Sequence, residues 1–524
     1  KAYLMKKSWL LILICTLLQF LTNAQHTDLA SLSSGELKTF HVLTDSKGKI
    51  FGYLLVYDKG IVPKQNKEFE FAVLDKNLRQ LISNTVIGPV YVVTYSGYLD
   101  NNNDLILYPR LREDAAKSHA KLQLPKNYKV QLKDNTVSEW ADFCFENQQI
   151  VSCDQSGTFK DLKEDEKKEK KAKGFVYESS VYKGDYGGYL VIEYDDYGKY
   201  NKNFTIRRFD DNKQEQWVHT ITDEVTKKHF YFVRIVHIDS TKLFGFKVFV
   251  NKNKYESCHF MAWDMKNGNL LKEELVEEVA TESIVSMLFL NAEGLSSYVD
   301  SYKAFDDKIV GTGRITKWNG LNSADRGYFR CIIDKSSLKL TYDKLYFNPD
   351  FKTYFPKITE YGDLEKGFNL SIRDAFFLAD GSIIYIFEKY KYDSGFFQGY
   401  SQKNDDLVFV ITDADFKIKN VKIMYKEKSV YSASDYLFGQ YLHDGKDFAF
   451  FYQDFKKGTE ADEDENWVLF INTWIDGQLN EEQLKITSEK NAIYPYIAKE
   501  GYILLREYNE KAKYNQIRLE KLNF

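Results

Sequence analysis

One hairpin pattern recurs along this chain of 524 residues, and it restricts the possible folds more than any other feature of the sequence. Residues 375–400, AFFLADGSIIYIFEKYKYDSGFFQGY, contain a tight turn, a strand of alternating apolar residues and a loop rich in Tyr and Phe. A similar stretch, GQYLHDGKDFAFFYQDFKKG, begins at Gly439. The turn glycines of the two copies are Gly381 and Gly445, and a third copy has Gly501 in the same place. An Asp before such a glycine favours a hairpin turn, so these acids need no catalytic explanation.

Looser copies of this plan begin at Gly48, Gly187, Ser240 and Asp307, which gives seven hairpins. A repeat of roughly 55 to 75 residues with about four short strands is typical of a β-propeller blade, because one such sheet cannot bury both faces until it stacks against its neighbours. A parallel β-helix would have a shorter period, a β-sandwich would not repeat, and a helical solenoid would show a period of about 3.6 residues. The sequence therefore predicts an all-β fold, a β-propeller of about seven four-stranded blades, with eight or six as alternatives.

Residues 25–524 are interpreted as a single propeller domain, in which residues 88–173 form a degenerate blade or an insertion. The stretch from Gly88 to Gly157 fits the repeat poorly. The last strand runs almost to Phe524, so a closed array would need a strand from the N-terminal segment, and residues 37–43 are the candidate. Such closure would remove exposed sheet edges.

The N-terminus has the pattern of a secretory signal. Lys6 and Lys7 precede an apolar run over residues 9–21, and Ala24 offers a small residue for cleavage. Residues 1–24 are therefore read as upstream residues and a signal peptide of the Sec pathway, which predicts a periplasmic or cell-surface protein. The apolar run is shorter than the roughly 20 residues that a membrane-spanning helix needs, so no membrane span is expected.

Composition excludes some functions. Apolar residues make up 44% of the chain and aromatic residues 16%, which favours β-structure with a large core. A net charge of −4 and a pI near 6.2 give no general attraction for nucleic acid. We expect a protein or carbohydrate partner, no nucleic acid and a monomeric chain.

A disulfide is predicted between Cys144 and Cys153, which would lie opposite each other if the chain turns at Gln148 and Gln149. An oxidising compartment would permit this bond. The alternative is two buried thiols, which is also the interpretation for Cys258 and Cys331 in their apolar strand patterns.

The signal ending Asn23-Ala24-Gln25, the abundance of Lys, Tyr and Phe, and the degenerate xLxDGxxxxxF blades give the chain a family resemblance. It resembles the uncharacterised secreted β-propeller proteins of Bacteroidota-type bacteria. The resemblance covers the whole mature chain and implies a fold and a location. It carries over no catalytic residue.

Linear motifs of known enzymes are missing from the sequence. It has no GxSxG, HExxH, P-loop or GxGxxG pattern, so the catalytic residues are unknown and no cofactor is expected. The DNNND stretch over residues 100–104 begins like a calcium loop but has Leu105 where the turn glycine belongs, so no metal site is predicted.

The least ordinary local feature is the aromatic loop of the first quoted hairpin. Exposed aromatic faces stack on sugar rings or anchor protein partners, so this loop is the candidate binding site. The alternative is that the strands run longer and the rings pack between blades. The predicted binding residues are Tyr390, Tyr392, Phe396, Phe397 and Tyr400.

Two functions remain open at this point. The first is a secreted, non-catalytic β-propeller that acts as a protein- or glycan-binding or scaffold module at the periplasm or cell surface. The alternative is a glycoside hydrolase or lyase with its site in the propeller channel. Two carboxylates about 5 to 10 Å apart beside arginines or aromatics would favour a glycosidase.

Overall fold

We describe the protein from a computed structural model. The structure describes residues 26–523 with these gaps: 46–47, 116–122, 142, 147, 153–159, 161–176, 184–186, 196–203, 224–225, 227–228, 252–253, 277–301, 319–322, 396–398, 428–435, 457–465, 487–490, 510 and 512–513. The predicted signal peptide, residues 1–24, lies outside the described residues and stays a prediction. Within the described residues, no helix has the length and hydropathy of a bilayer-spanning helix.

The described residues are almost entirely strand. The first strands are β1 (His26–Asp28), β2 (Glu36–Thr44), β3 (Ile50–Val62), β4 (Asn66–Asp75), β5 (Gln80–Pro89), β6 (Val92–Leu99), β7 (Leu105–Leu111), β8 (Asn127–Gln131), β9 (Thr136–Trp140), β10 (Phe143–Glu146) and β11 (Gln149–Ser152). The middle strands are β12 (Tyr177–Lys183), β13 (Tyr189–Asp195), β14 (Phe204–Phe209), β15 (Glu215–Ile221), β16 (His229–Ile238), β17 (Lys242–Asn251), β18 (Lys254–Asp264), β19 (Leu270–Leu275), β20 (Tyr302–Ala304), β21 (Lys308–Trp318), β22 (Ser323–Asp334) and β23 (Leu340–Tyr346). The last strands are β24 (Asn369–Phe377), β25 (Ile383–Gly395), β26 (Gly399–Thr412), β27 (Ile418–Met424), β28 (Tyr436–Leu442), β29 (Asp447–Lys456), β30 (Asn466–Ile475), β31 (Gln478–Lys485), β32 (Ala492–Ile497), β33 (Tyr502–Asn509) and β34 (Tyr514–Lys521). Short 3-10 turns cover Leu29–Ser31, Glu365–Gly367 and His443–Gly445.

These strands form eight four-stranded sheets and one two-stranded hairpin, β10–β11. In chain order, sheets 1 to 7 are β2–β5, β6–β9, β12–β15, β16–β19, β20–β23, β24–β27 and β28–β31, and sheet 8 joins β32–β34 to β1. Repeated four-stranded antiparallel sheets of this kind are propeller blades, so the predicted all-β propeller fold is confirmed. The predicted number of about seven blades is corrected to eight, which was one of the alternatives.

The additional blade is sheet 2, which the repeat pattern missed. Its first turn lacks the Asp-Gly pair; Asn103 supplies the positive φ of 59° instead. Asp100 Oδ1 accepts hydrogen bonds from the backbone N–H groups of Asn102 and Asp104, each at 2.9 Å. Lys129 Nζ lies 2.8 Å from Asp100 and 2.9 Å from Asp104. The DNNND stretch is therefore an ion-paired turn.

The chain divides into two compact units, and the first holds residues 1–141, 155–160 and 485–524. This unit contains sheets 8, 1 and 2. One apolar layer joins sheet 8 to sheet 1 and includes Leu504, Ile517, Tyr53 and Leu55. A second layer joins the other face of sheet 1 to sheet 2. Sheet 1 is thus apolar on both faces, as expected for a blade between neighbours.

Sheet 8 is completed by the N-terminal segment. Strand β1 pairs antiparallel with β34, with Thr27 opposite Ile517. Leu29, just after β1, is fully buried in the layer between sheets 8 and 1. The prediction that residues 37–43 supply the added strand is wrong, because those residues lie in β2 and pair with β3.

The second unit holds residues 142–154 and 161–484, which contain sheets 3 to 7 and the β10–β11 hairpin. Separate apolar layers join sheet 3 to sheet 4, sheet 4 to sheet 5, sheet 5 to sheet 6, and sheet 6 to sheet 7. In strand β25, alternate residues pack against the two neighbouring sheets. Ile383, Tyr385 and Phe387 pack toward sheet 5, whereas Ile384 and Ile386 pack toward sheet 7.

The structure bears differently on the two predictions made for cysteine pairs. In the β10–β11 hairpin, Cys144 lies opposite Val151, and the turn falls between Glu146 and Gln149. Cys153 lies outside the described residues, so its disulfide with Cys144 stays a prediction. Cys258 and Cys331 are buried free thiols in the layer between sheets 4 and 5, and burial raises the pKa of each to about 12.

Candidate functional site

The predicted aromatic residues lie on or beside a long hairpin of sheet 6. Strands β25 and β26 remain paired as far as Gly395 and Gly399, so much of the predicted loop is strand. We call residues 390–404 the arm. Tyr390 is half-buried opposite Asn404, while Tyr392 and Tyr400 have described backbones only. Phe396 and Phe397 lie outside the described residues, so their role in binding stays a prediction.

Charged side chains are buried where the arm joins sheet 6. Glu388 Oε1 accepts a hydrogen bond from Lys426 Nζ at 2.8 Å, and Glu388 Oε2 accepts one from Arg373 Nε at 2.7 Å. The side chains of Glu388 and Lys426 are both 0% exposed. Burying three charges costs solvation free energy, which mutual pairing offsets only with good geometry. A carboxylate held between two cations meets that condition.

A second acid joins the same lysine. Asp406 Oδ2 accepts from Lys389 Nζ at 2.6 Å, and Asp406 Oδ1 accepts from the backbone N–H of Lys426 at 3.3 Å. We call the five residues Arg373, Glu388, Lys389, Asp406 and Lys426 the charge cluster. It links three strands of sheet 6 to the segment that follows β27.

Two β-bulges contribute side chains to the charge cluster. The register between β24 and β25 shifts between Ile372 and Asp374, which leaves Arg373 as the extra residue. The register between β25 and β26 shifts between Glu388 and Tyr390, where Asp405 and Asp406 of β26 both face Lys389, so the extra residue is on β26. A bulge re-aims a side chain out of the normal alternation. The first bulge therefore contributes a cation, Arg373, to the charge cluster, and the second lies at an acid of the cluster, Asp406.

Asp454, on β29 of sheet 7, continues the polar region. Its Oδ2 accepts from the backbone N–H of Glu427 at 3.1 Å, and its Oδ1 accepts from that of Phe455 at 2.8 Å. Burial raises the pKa of the Asp454 carboxyl, while these hydrogen bonds and the charge of Lys426 act in the opposite direction. The bond to Glu427 ties the segment after β27 to sheet 7.

Aromatic side chains are exposed beside these buried charges. Tyr425 directly precedes Lys426 and is 80% exposed. Trp467 is 37% exposed and packs edge to face against Phe455, with ring centroids 5.4 Å apart. We call Tyr425, Phe455 and Trp467 the aromatic rim. Bonds from Lys426 and Glu427 fix the backbone on the C-terminal side of Tyr425, so its ring is presented by an anchored segment.

One donor of the charge cluster has no partner. Arg373 is about nine-tenths buried, and its Nη2 is buried with no hydrogen-bond partner. Among the described residues, no group of three or more His, Cys, Asp or Glu side chains is placed to hold a metal ion. The site is therefore a mixture of buried ion pairs, one unsatisfied guanidinium nitrogen and exposed aromatic rings.

Sequence reasoning found the arm but missed the charge cluster and the rim. The partners are far apart in sequence, with Arg373 and Glu388 on adjacent strands and Lys426 beyond a third and a fourth. One signal was present: Glu388 directly follows the apolar run of residues 383–387, which both neighbouring sheets bury.

Comparison with known proteins identifies no family. No protein-family model matches the chain, and no curated protein matches it either. Similar solved structures include the WD40 domain of SCAP from fission yeast, with 8% identity, a TM-score of 0.34, and coverage of 93% of this chain and 95% of that one. The β-propeller domain of the Trilobed protease from Pyrococcus furiosus has 9% identity, a TM-score of 0.30 and coverage of 87% and 98%. The polysaccharide lyase Uly1 has 8% identity, a TM-score of 0.34 and coverage of 93% and 90%. Similarity at this level says nothing about what this chain binds.

Proposed function

We propose that the protein is a non-catalytic binding or scaffold module of the periplasm or cell surface, and that it recognises a protein or glycan ligand at the aromatic rim and arm. The observation that carries this proposal is the pairing of a fully buried ion pair with an exposed ring one residue away. Lys426 is anchored, and Tyr425 beside it is 80% exposed. An exposed ring on a fixed backbone loses little conformational entropy on binding.

The buried acids support binding more than catalysis. A general acid or base must come within hydrogen-bond reach of the proton that it transfers. Both oxygens of Glu388 are instead occupied by cations, and its side chain is 0% exposed. Asp406 is held by Lys389 and by the backbone of Lys426. The two convergent carboxylates of the charge cluster therefore act as structural anchors.

The hydrolase or lyase alternative is supported by Asp454. Burial raises the pKa of the Asp454 carboxyl, which is the direction of shift found in catalytic acids. It also lies beside the aromatic rim, through Phe455. This alternative gives Asp454 the role of acid, and it requires a second acid or base that the charge cluster does not leave free.

The binding proposal predicts that Tyr425→Ala weakens ligand capture about tenfold, the equivalent of about 1.4 kcal/mol. The ring is exposed, so the free energy of unfolding should change by no more than about 0.5 kcal/mol. The assay is an array of defined neutral and acidic oligosaccharides and peptides probed with the mature chain. Tyr494→Ala is the matched control, because Tyr494 is an exposed tyrosine in the other unit.

Unchanged capture by Tyr425→Ala would argue against the rim as the binding surface. If the parent chain cleaves an oligosaccharide on the same array and Asp454→Asn does not, the hydrolase or lyase alternative is favoured. The asparagine keeps the size of the side chain and removes the acid.

The role of Phe396 and Phe397 gives a separate prediction. If these rings belong to the recognition surface, the double replacement by Ala should reduce capture and leave stability within a few tenths of a kcal/mol. If they pack as core residues, each truncation should cost about 3–5 kcal/mol. A thermal melt of the double variant separates the two outcomes, and a strongly lowered melting temperature would exclude these rings from the binding surface.

A further inference from the structure

We propose that His237, Asp239 and Lys335 form an acid-sensitive switch at the junction of sheets 4 and 5. At neutral pH, Asp239 pairs with Lys335 across the junction. In acid, protonated His237 competes with Lys335 for the Asp239 carboxylate, which weakens the link between the two sheets. The switch is separate from the aromatic rim and the charge cluster, which belong to sheets 6 and 7.

The ion pair of Asp239 and Lys335 joins turns of different sheets. Asp239 follows β16 in sheet 4, and Lys335 follows β22 in sheet 5. Asp239 Oδ2 lies 3.5 Å from Lys335 Nζ. On the sheet 4 side, Asp239 Oδ1 accepts from the backbone N–H groups of Thr241 and Lys242, each at 2.9 Å. On the sheet 5 side, the N–H of Lys335 donates to the Asp307 carbonyl at 2.9 Å. The backbone thus fixes both ends of the pair and leaves Oδ2 facing the junction.

His237 is placed to compete for the same oxygen. Its Nε2 lies 3.8 Å from Asp239 Oδ2, too far for a hydrogen bond. Among the described residues, this buried nitrogen has no hydrogen-bond partner. The His237 ring contacts Phe244 of sheet 4 and Tyr302 of sheet 5, with ring centroids 6.2 and 6.5 Å away. A small shift of the Asp239 side chain would bring Oδ2 within reach of Nε2, so a proton on His237 has its acceptor beside it.

The surroundings keep His237 neutral at neutral pH. Burial lowers the pKa of His237 below its ordinary value of 6.5, and the positive charge of Lys335 acts in the same direction. The Asp239 carboxylate opposes both effects. In acid, a protonated His237 carries the same charge as Lys335, and like charges repel. One carboxylate oxygen then lies between two cations that repel each other, so pairing with His237 weakens the contact with Lys335.

Asp239 remains an anion while His237 titrates. Burial acts to raise the pKa of Asp239, but hydrogen bonds from Thr241 and Lys242 outweigh it and lower that pKa below its ordinary value of 3.8. The charge of Lys335 also lowers it. The carboxylate is therefore available to either cation throughout the pH range in which a histidine changes its charge.

Proton linkage gives the sign of the effect on stability. The pKa of His237 is lower in the folded chain than in the unfolded chain, so the unfolded chain binds this proton more readily. Stability therefore falls as the pH drops below 6.5, and the loss is complete below the folded-state pKa of His237. Because His237 contacts both sheets, the loss should appear first between sheets 4 and 5.

Hydrogen–deuterium exchange of the mature chain at about pH 8 and about pH 5 tests the switch over the range in which histidine titrates. After correction for the intrinsic pH dependence of exchange, we expect β16, β17, β20 and β21 to exchange about tenfold faster in acid, the effect of a difference of about one pKa unit. Sheets 6 and 7 should change much less. His237→Phe keeps an aromatic ring and removes the titrating group, so it should abolish the acid effect.

Lys335→Met should give fast exchange at both pH values, because the link across the junction is already lost. His229→Gln is the matched control, since His229 is an exposed histidine of sheet 4 that pairs with Glu256, and it should respond to acid as the parent does. Circular dichroism checks that each variant is folded, and His237→Gln replaces His237→Phe if the latter does not fold. Equal corrected exchange of the parent at the two pH values would overturn the switch. So would an acid effect that persists without His237, or one that is equally large in sheets 6 and 7.

Discussion

Lys426→Met should destabilise the protein by about 3–5 kcal/mol, the usual cost of removing one partner from a buried ion pair. The variant leaves Glu388 fully buried and removes one of the two cations that its carboxylate oxygens contact, while Arg373 stays in place. It also removes the anchor that fixes the segment carrying Tyr425. Methionine fills a similar volume, so the loss would report charge pairing more than packing. Urea unfolding followed by tryptophan fluorescence measures the effect as a lower midpoint.

The control for this prediction is an exposed ion pair. Lys126 pairs with Glu139 in sheet 2, where both side chains are largely in solvent. Lys126→Met should change stability by at most about 1 kcal/mol, because exposed pairs contribute little. If Lys426→Met lowers the free energy of unfolding no more than Lys126→Met does, the charge cluster does not anchor the segment that carries Tyr425. The proposal for Tyr425 would then lose its main support.

The fold was predictable because its signals are local. Turn residues such as Asp380 and Gly381 specify hairpins, and alternating residues such as Ile383 and Ile384 specify two buried faces. Sheet 2 escaped detection because it uses different local chemistry. Its first turn relies on Asn103, and β7 pairs with β8 over only Leu105 to Leu107. The copies at Ser240 and Asp307 also lack an Asp-Gly pair, so the short pairing of β7 with β8 is the feature that sets sheet 2 apart.

The candidate site was only partly predictable, for a different physical reason. Lys426 is hydrophilic in isolation, and its complete burial depends on where strands far away in sequence place Glu388 and Asp406. The two bulges add to the difficulty, because alternation assigns Arg373 and Asp406 to positions that the register shifts then change. Aromatic residues in the arm were visible in the sequence, but exposure of Tyr425 follows from the anchoring of its neighbour.

Removing residues 26–32 should destabilise the first unit strongly, although the deleted strand β1 has only three residues. The deletion exposes the backbone edge of β34. It also removes Leu29, which is fully buried and whose carbonyl oxygen accepts a hydrogen bond from Tyr57 at 2.9 Å. A second bond, from Thr27 Oγ1 to the Leu78 carbonyl at 3.1 Å, is lost as well.

Leu29→Ala isolates the packing part of this effect and should cost about 2–5 kcal/mol, as for other buried leucines. Glu36→Ala is the control, since this exposed position on β2 should change stability by no more than about 0.5 kcal/mol. The melting temperatures of the deletion variant, Leu29→Ala and Glu36→Ala show how much of the stability comes from the whole segment and how much from the Leu29 side chain. If the deletion variant has the same melting temperature as the parent protein, β1 does not stabilise sheet 8. If Leu29→Ala lowers the melting temperature as much as the full deletion does, most of the stabilisation comes from the Leu29 side chain. The pairing of β1 with β34 would then contribute little beyond covering the edge of β34.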